Sequence, residues 1–301
     1  MVTSNNSLED KLFKNLKVKK EPNTVFILSA PRTGSTYLYQ LIAKTFQLPY
    51  ISNATNEIYP LNPIIGLIIQ SKVNVSIPLS NKFGKTKGIF QPSEGSYVLL
   101  NWFGGGHPSQ TVTKKILKGK NKHFRATLAA SEIIFNGAPL IIKNPWNCFR
   151  ISSIRKLLPK AKFIWLKRDI RKSAASDLES RYLTKKNPNK WNSATPSNIE
   201  KLKLLPPVHQ VIENQFEFNR SIKANLKNIP SKNWITLWYE DILEDTNVEL
   251  KKISSFLNRD YKFTTNANKI KKKIRNISSE EQKEINKYVN IHSKRFKENL
   301  Y

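Results

Sequence analysis

Thr24-Val-Phe-Ile-Leu28-Ser-Ala-Pro-Arg32-Thr33-Gly34-Ser35-Thr36-Tyr-Leu-Tyr-Gln-Leu-Ile-Ala43 is the stretch that decides the fold. The apolar run Val25 to Leu28 reads as a buried strand, and a turn with one glycine follows. Tyr37, Leu38, Leu41 and Ile42 then recur at helical spacing. Strand, polar turn and helix in that order build an anion site. Backbone N–H groups from about Thr33 to Thr36 are left unpaired at the helix N-terminus, where the macrodipole favours negative charge. Ser35 and Thr36 add hydroxyls and Arg32 a fixed cation, so the turn suits a phosphate or a sulfate. The triphosphatase loop G-x-x-x-x-G-K-[ST] is a poor match, because Ser29 stands at its first glycine position and the basic residue precedes Gly34. A nucleotide-dependent kinase would also need a magnesium-binding aspartate at a strand end, and none is evident.

A second stretch, Ala138-Pro-Leu-Ile-Ile-Lys143-Asn-Pro145 through Lys162-Phe-Ile-Trp-Leu-Lys-Arg168-Asp-Ile-Arg171, contains two more strand-like runs, Leu140 to Ile142 and Phe163 to Leu166. A helix expected from about Cys148 to Leu158 joins them into a βαβ unit, which implies parallel strands and a right-handed crossover. The predicted fold class is therefore α/β, a single domain with a central parallel β-sheet flanked by helices and a P-loop-like strand-loop-helix. Arg32, Lys143 and Arg168 each follow the end of a strand, and ligands of open parallel sheets collect beyond those carboxyl ends. Three cations would thus face one crevice.

In these residues the chain resembles the sulfotransferase superfamily. Ser-Ala-Pro-Arg32-Thr-Gly-Ser-Thr36 resembles its 5′-phosphosulfate loop, and Arg168 with Ser176 eight residues later resembles its 3′-phosphate motif. The Lys143-Asn-Pro and Lys162 to Arg171 segments are most similar to the tyrosylprotein and bacterial branch. Trp234-Ile-Thr-Leu-Trp-Tyr239-Glu-Asp-Ile-Leu is similar to a downstream strand of these enzymes. The likeness covers roughly residues 24–50 and 138–258. It implies sulfuryl transfer from 3′-phosphoadenosine 5′-phosphosulfate to a hydroxyl or amine, leaving adenosine 3′,5′-bisphosphate and needing no metal. Arg32 and Lys143 would be the catalytic cations. Thr33, Gly34, Ser35 and Thr36 would hold the 5′-phosphate, Arg168 and Ser176 the 3′-phosphate, and Tyr239 would line the nucleotide site. For the general base, order along the chain makes Glu57 similar to the glutamate of the tyrosylprotein branch, with Glu94 and His107 as alternatives.

The rest of the chain sets bounds. Residues 1–23 read as a flexible lead-in and 24–300 as the domain, with variable acceptor-side insertions at about 53–136 and 183–205. Leu48 to Ser52 reads as a short strand, Asn53 to Asn62 as a polar loop, Ile64 to Ile69 as a helix, and Pro92 or Ser93 to Gly104 as another. Asn121 to Phe135 and Pro207 to Leu226 read as amphipathic helices, Leu183 to Leu202 as an exposed loop, and Ser278-Ser-Glu-Glu281 as a capping box opening a charged helix. One cysteine, Cys148, excludes an internal disulfide, and the four histidines are not spaced as zinc ligands. With no apolar segment at the N-terminus, a cytoplasmic enzyme of bacterial type is expected.

The formal charge of +29, from 51 Lys and Arg against 22 Asp and Glu, implies attraction to anionic substrates and peripheral attraction to anionic surfaces. A non-catalytic polyanion-binding protein would share that charge. The basic runs Lys17 to Lys20 and Lys269 to Arg275 lack interleaved aromatic residues, so no specific nucleic-acid partner is expected. The acceptor is open: a small molecule, a glycan, a lipid or a peptide.

Overall fold

The runs at residues 24–28, 140–143, 162–167 and 234–238 are mostly apolar, so they assemble into a sheet covered on both faces. The computed structural model describes residues 8–17, 21–79, 86–105, 119–261 and 277–300. Its four strands are β1 (Thr24–Leu28), β2 (Leu140–Lys143), β3 (Lys162–Lys167) and β4 (Trp234–Trp238), all parallel, in the order β2-β1-β3-β4. The chain leaves β1 for one side and later returns to its other side. The sheet therefore reverses direction at β1, where open α/β sheets bind ligands.

Successive side chains of a strand point to opposite faces, and here each set enters its own core. Phe26, Leu28, Leu140, Ile142, Phe163 and Trp165 pack on one face. Val25, Ile27, Ile141, Ile164 and Leu166 pack on the other. In chain order the helices are α1 (Leu8–Asn15), α2 (Ser35–Thr45), α3 (Asn53–Glu57), α4 (Pro63–Ser71) and α5 (Ser96–Phe103). After them come α6 (Lys120–Ile134), α7 (Ile151–Leu157), α8 (Ile170–Lys185), α9 (Ile199–Leu202) and α10 (Pro207–Leu226). The last are α11 (Tyr239–Glu244), α12 (Thr246–Leu257), α13 (Ser279–Ile291) and α14 (Ser293–Leu300). Helices α2 and α12 cover the second face, while α4 to α7 and α10 cover the first. A third cluster joins α8 and α10 to Ile285, Val289 and Phe296 of the C-terminal helices.

Several expectations change in detail. The segment read as a lead-in carries α1, anchored by a Glu9 only 2% exposed. Leu48 to Ser52 makes only single bridges, Tyr50 with Ile141 and Ser52 with Pro92. The polar loop after it begins with α3, because the Ser52 hydroxyl accepts the Thr55 N–H and caps a helical turn. Helix α5 starts at Ser96, after Gly95 takes a left-handed conformation (φ 65°). The helix expected from Cys148 to Leu158 splits into a 3₁₀ turn, Pro145–Phe149, and α7, with Arg150 between them at φ −114°. Helix α6, read as amphipathic, leaves Ile133 exposed. Helix α8 runs into the stretch read as a loop as far as Lys185, and α9 forms within that stretch. The capping box at Ser278 and Glu281 forms as expected. His107 and the run Lys269 to Arg275 lie outside the described residues, as do Val18, Lys19 and Lys20.

Candidate active site

The turn between β1 and α2 is built on backbone that ordinary side chains avoid. Arg32 has φ 65° and Gly34 φ 91°, and the left-handed region costs a non-glycine residue about 1–2 kcal/mol. The result is a tight reversal that aims the first turn of α2 at the carboxyl edge of the sheet. Gly34 occupies the N-cap position and offers no side chain to cap the helix, so the first-turn N–H groups receive no side-chain oxygen there. The Thr33 hydroxyl turns inward and donates to the Ala30 carbonyl at 2.9 Å, which braces the turn from within. Gln215 of α10 donates to the Pro31 carbonyl at 2.8 Å, and the Cys148 thiol donates to Ser29 O at 3.4 Å. Strained backbone persists where its surroundings over-determine it, and these contacts do that here.

Arg32, Arg168, Ser176 and Tyr239 meet at one corner of this turn. Arg168 Nη1 donates to the Arg32 carbonyl at 2.8 Å, and its guanidinium lies 4.7 Å from the centroid of the Tyr239 ring. Arg32 Nη2 reaches Ser176 Oγ at 3.5 Å. Asp169 is engaged as the N-cap of α8, accepting the Arg171 and Lys172 N–H groups at 2.8 and 3.1 Å. Burial pulls the pKa of Arg32 below the ordinary arginine value; Asp177 opposes this most strongly, and the charge of Arg168 adds to it. Burial does the same to Arg168, against Tyr239 and Glu240. Two guanidinium groups are thus held together in partly buried positions, with the charges of Asp177, Glu179 and Glu94 acting on Arg32 in the opposite sense to Arg168.

The other side of the turn belongs to β2. Lys143 is 6% exposed, and its ammonium donates to Thr36 Oγ1 at 3.2 Å and forms a close ion pair with Glu94. Asn144, next in sequence, fixes that carboxylate's segment: its amide donates to the Glu94 carbonyl at 3.1 Å and to Ser96 Oγ at 3.3 Å. The same side chain accepts the Trp146 N–H, capping the 3₁₀ turn.

Of the residues expected at the site, Arg32, Thr33, Gly34, Ser35, Thr36, Lys143, Arg168, Ser176 and Tyr239 thus lie on the turn or around it. Among the carboxylates offered as bases, Glu94 is the one in contact with Lys143, whereas Glu57 is exposed at the end of α3. Asn144 and Gln215 were not singled out from sequence. The Asn144-Pro145 pair does carry a legible cap signal, since proline favours the first helical position and asparagine the one before it. Asp177 likewise had no signal, being one of two acidic residues within a largely polar helix.

Comparison with known proteins gives the same architecture. A model of the sulfotransferase family matches residues 22–262. Sulfotransferase STF9 from Mycobacterium avium superposes with a TM-score of 0.53 at 11% identity, over 94% of this chain and 72% of that one. STF1 from Mycobacterium tuberculosis H37Rv gives 0.51 at 12%, over 92% and 74%, and a sulfotransferase from Alicyclobacillus acidocaldarius 0.50 at 12%, over 91% and 93%. At these identities the structures speak for the fold alone. No curated protein matches the sequence. Since the family match runs from just before β1 to beyond α12 and so takes in every strand and the whole turn around Arg32, the chain belongs to the sulfotransferase family.

Proposed function

We propose that the chain transfers the sulfuryl group of 3′-phosphoadenosine 5′-phosphosulfate to a hydroxyl or amine acceptor. The observation that carries this reading is the meeting of Arg32, Lys143 and Arg168, from the ends of β1, β2 and β3, around the uncapped first turn of α2. The residues present fit such a donor. Arg168 Nε is buried and has no hydrogen-bond partner among the described residues, which suits a further anionic oxygen. The absent Cβ of Gly34 leaves room for the Tyr239 ring against the turn. The donor supplies the sulfuryl group and a bisphosphate leaving group.

The chain's own residues then act by position and charge, as expected for a loose in-line transfer. The N–H groups of α2, with Ser35 and Thr36, hold the 5′-phosphate. Arg168 and Ser176 hold the 3′-phosphate. Arg32 and Lys143 balance the charge that grows on the bridging and sulfuryl oxygens. Glu94, beside Lys143, takes the proton of the acceptor and so has the role that chain order had suggested for Glu57. General bases act within hydrogen-bond reach of the proton they remove, and Glu94 alone of the two touches this cluster among the described residues.

Calorimetric titration with adenosine 3′,5′-bisphosphate tests the reading, with ATP as comparison and Arg168→Ala as the variant. Saturable binding that prefers the bisphosphate and weakens at least about tenfold in the variant is expected, the equivalent of about 1.4 kcal/mol. Equal binding of ATP, or indifference to Arg168, would overturn it.

A further inference from the structure

Arg150 is 1% exposed, and among the described residues no acidic side chain balances it. Burial pushes its pKa down to about 9, and the group that acts against this is Cys148, whose own thiol burial pushes up to about 12. That thiol is neutral at physiological pH, so it supplies no countercharge. A buried guanidinium in this position is costly unless something anionic joins it.

The group is also held ready. Its plane lies against the Phe103 ring at 4.5 Å, and Nη1 donates to Asn147 Oδ1 at 3.3 Å. On the opposite edge, Nε is buried with no hydrogen-bond partner among the described residues. That edge, which Nε shares with Nη2, is the one that meets a carboxylate through two parallel hydrogen bonds. Asn147 is fully buried and its Nδ2 is a second donor without a partner among those residues. Turning the amide over does not help, since it would set Nδ2 against the guanidinium donors. Trp146 Nε1, in the same 3₁₀ turn, is a third such donor. Each of these unmet groups is a donor, so what is missing is an acceptor.

We propose that the Nε–Nη2 edge of Arg150, its far side held by Asn147, forms an oxyanion subsite that takes a carboxylate, separate from the cluster around Arg32 and Arg168. Its place beside the turn follows from Cys148, which reaches Ser29 O and feels the charge of Lys143. The carboxylate is either free in solution or carried by the acceptor, in which case the subsite selects acidic acceptors; that second source rests on the sulfuryl-transfer reading.

The test is thermal unfolding of the full chain titrated with sodium formate at constant ionic strength, with and without adenosine 3′,5′-bisphosphate. A saturable rise in melting temperature is expected in both conditions. Arg150→Lys, which keeps the charge and loses the fork, should weaken formate at least about tenfold. Asn147→Asp, which neutralises the guanidinium from its Nη1 side, should raise the melting temperature without formate and weaken the response at least about tenfold. A source comparison uses 4-hydroxybenzoate and 4-hydroxybenzamide: a rise with the acid alone assigns the site to acidic acceptors, and a rise with formate only assigns it to free ions. No rise with formate in the wild type, or an equal rise in both variants, overturns the proposal. Failure of the bisphosphate to bind would count against the donor reading and leave the formate result legible.

Discussion

The ring of Tyr239 occupies the space in front of Gly34 so closely that a Cβ on that glycine would collide with its Cδ2 and Cε2. The first residue of α11, at the end of β4, and the N-cap of α2, after β1, are thereby locked face to face. Arg168 stacks on the same ring from the end of β3. Three strand ends are tied through one aromatic side chain.

Gly34→Ala therefore meets two obstacles. Its φ of 91° costs a residue with a Cβ about 1–2 kcal/mol, and Tyr239 must also move. Lower stability in chemical denaturation and at least about tenfold weaker bisphosphate binding are expected together. Adding Tyr239→Ser relieves the collision and leaves the backbone cost. If Gly34→Ala alone unfolds at the wild-type denaturant concentration, the contact has no energetic weight.

Lys143 and Glu94 form the second relationship with direct consequences for turnover. Lys143→Met removes the charge beside Thr36 and should lower kcat by about 10²–10³. Glu94→Gln removes the proposed proton acceptor and should lower it by about 10²–10⁴. Because the two groups act as a pair, the double variant should lose far less than the product of the single losses. Steady-state rates of the four proteins close this cycle, and strict multiplicativity would mean independent roles.

The strands and the turn were legible because their signals are local. An apolar run, one glycine and a helical repeat lie within residues 24–43, the cation at 143 directly follows an apolar run, and that at 168 comes two residues after one. Glu94 was harder to rank, since its selection depends on two residues far along the chain: Asn144 gripping its backbone and Lys143 folding back to its carboxylate. Helix α1 was missed for a related reason. Its residues are mostly polar and charged, and what fixes it is one long-range arrangement around Glu9.

That arrangement is itself testable. Glu9 Oε1 accepts the Ile64 N–H at 3.0 Å, and Oε2 meets His123 Nε2 at 2.5 Å. Trp102 Nε1 donates to His123 Nδ1 at 2.8 Å, so the neutral imidazole carries its proton on Nε2 and donates it to Glu9. Glu9→Ala leaves the buried Ile64 N–H and the partly exposed His123 Nε2–H without their acceptor and should cost about 1–3 kcal/mol. Bisphosphate affinity should stay within about twofold, because the turn around Arg32 does not depend on α1. Loss of binding alongside unchanged stability would reverse that assignment.

Lys167 gives a pH dependence with a definite sign. Its ammonium lies 4.1 Å from the centroid of one Trp165 ring and 5.5 Å from that of Trp238. Burial pushes its pKa down to about 8, and the charge of Lys223 on α10 acts in the same direction. An unfolded lysine titrates near about 10.4. Between these values the unfolded chain holds a proton that the folded chain has released, so this group makes stability rise with pH across the window. Below about pH 8 the folded protein bears the full penalty of the charged, half-buried amine. Lys167→Met removes that titration while other groups cancel in the comparison. Wild type should therefore gain stability relative to the variant from about pH 7.5 to about pH 10, read by denaturant unfolding at each pH. A difference that stays constant over that range would show that the ammonium titrates as freely in the folded protein as in the unfolded chain.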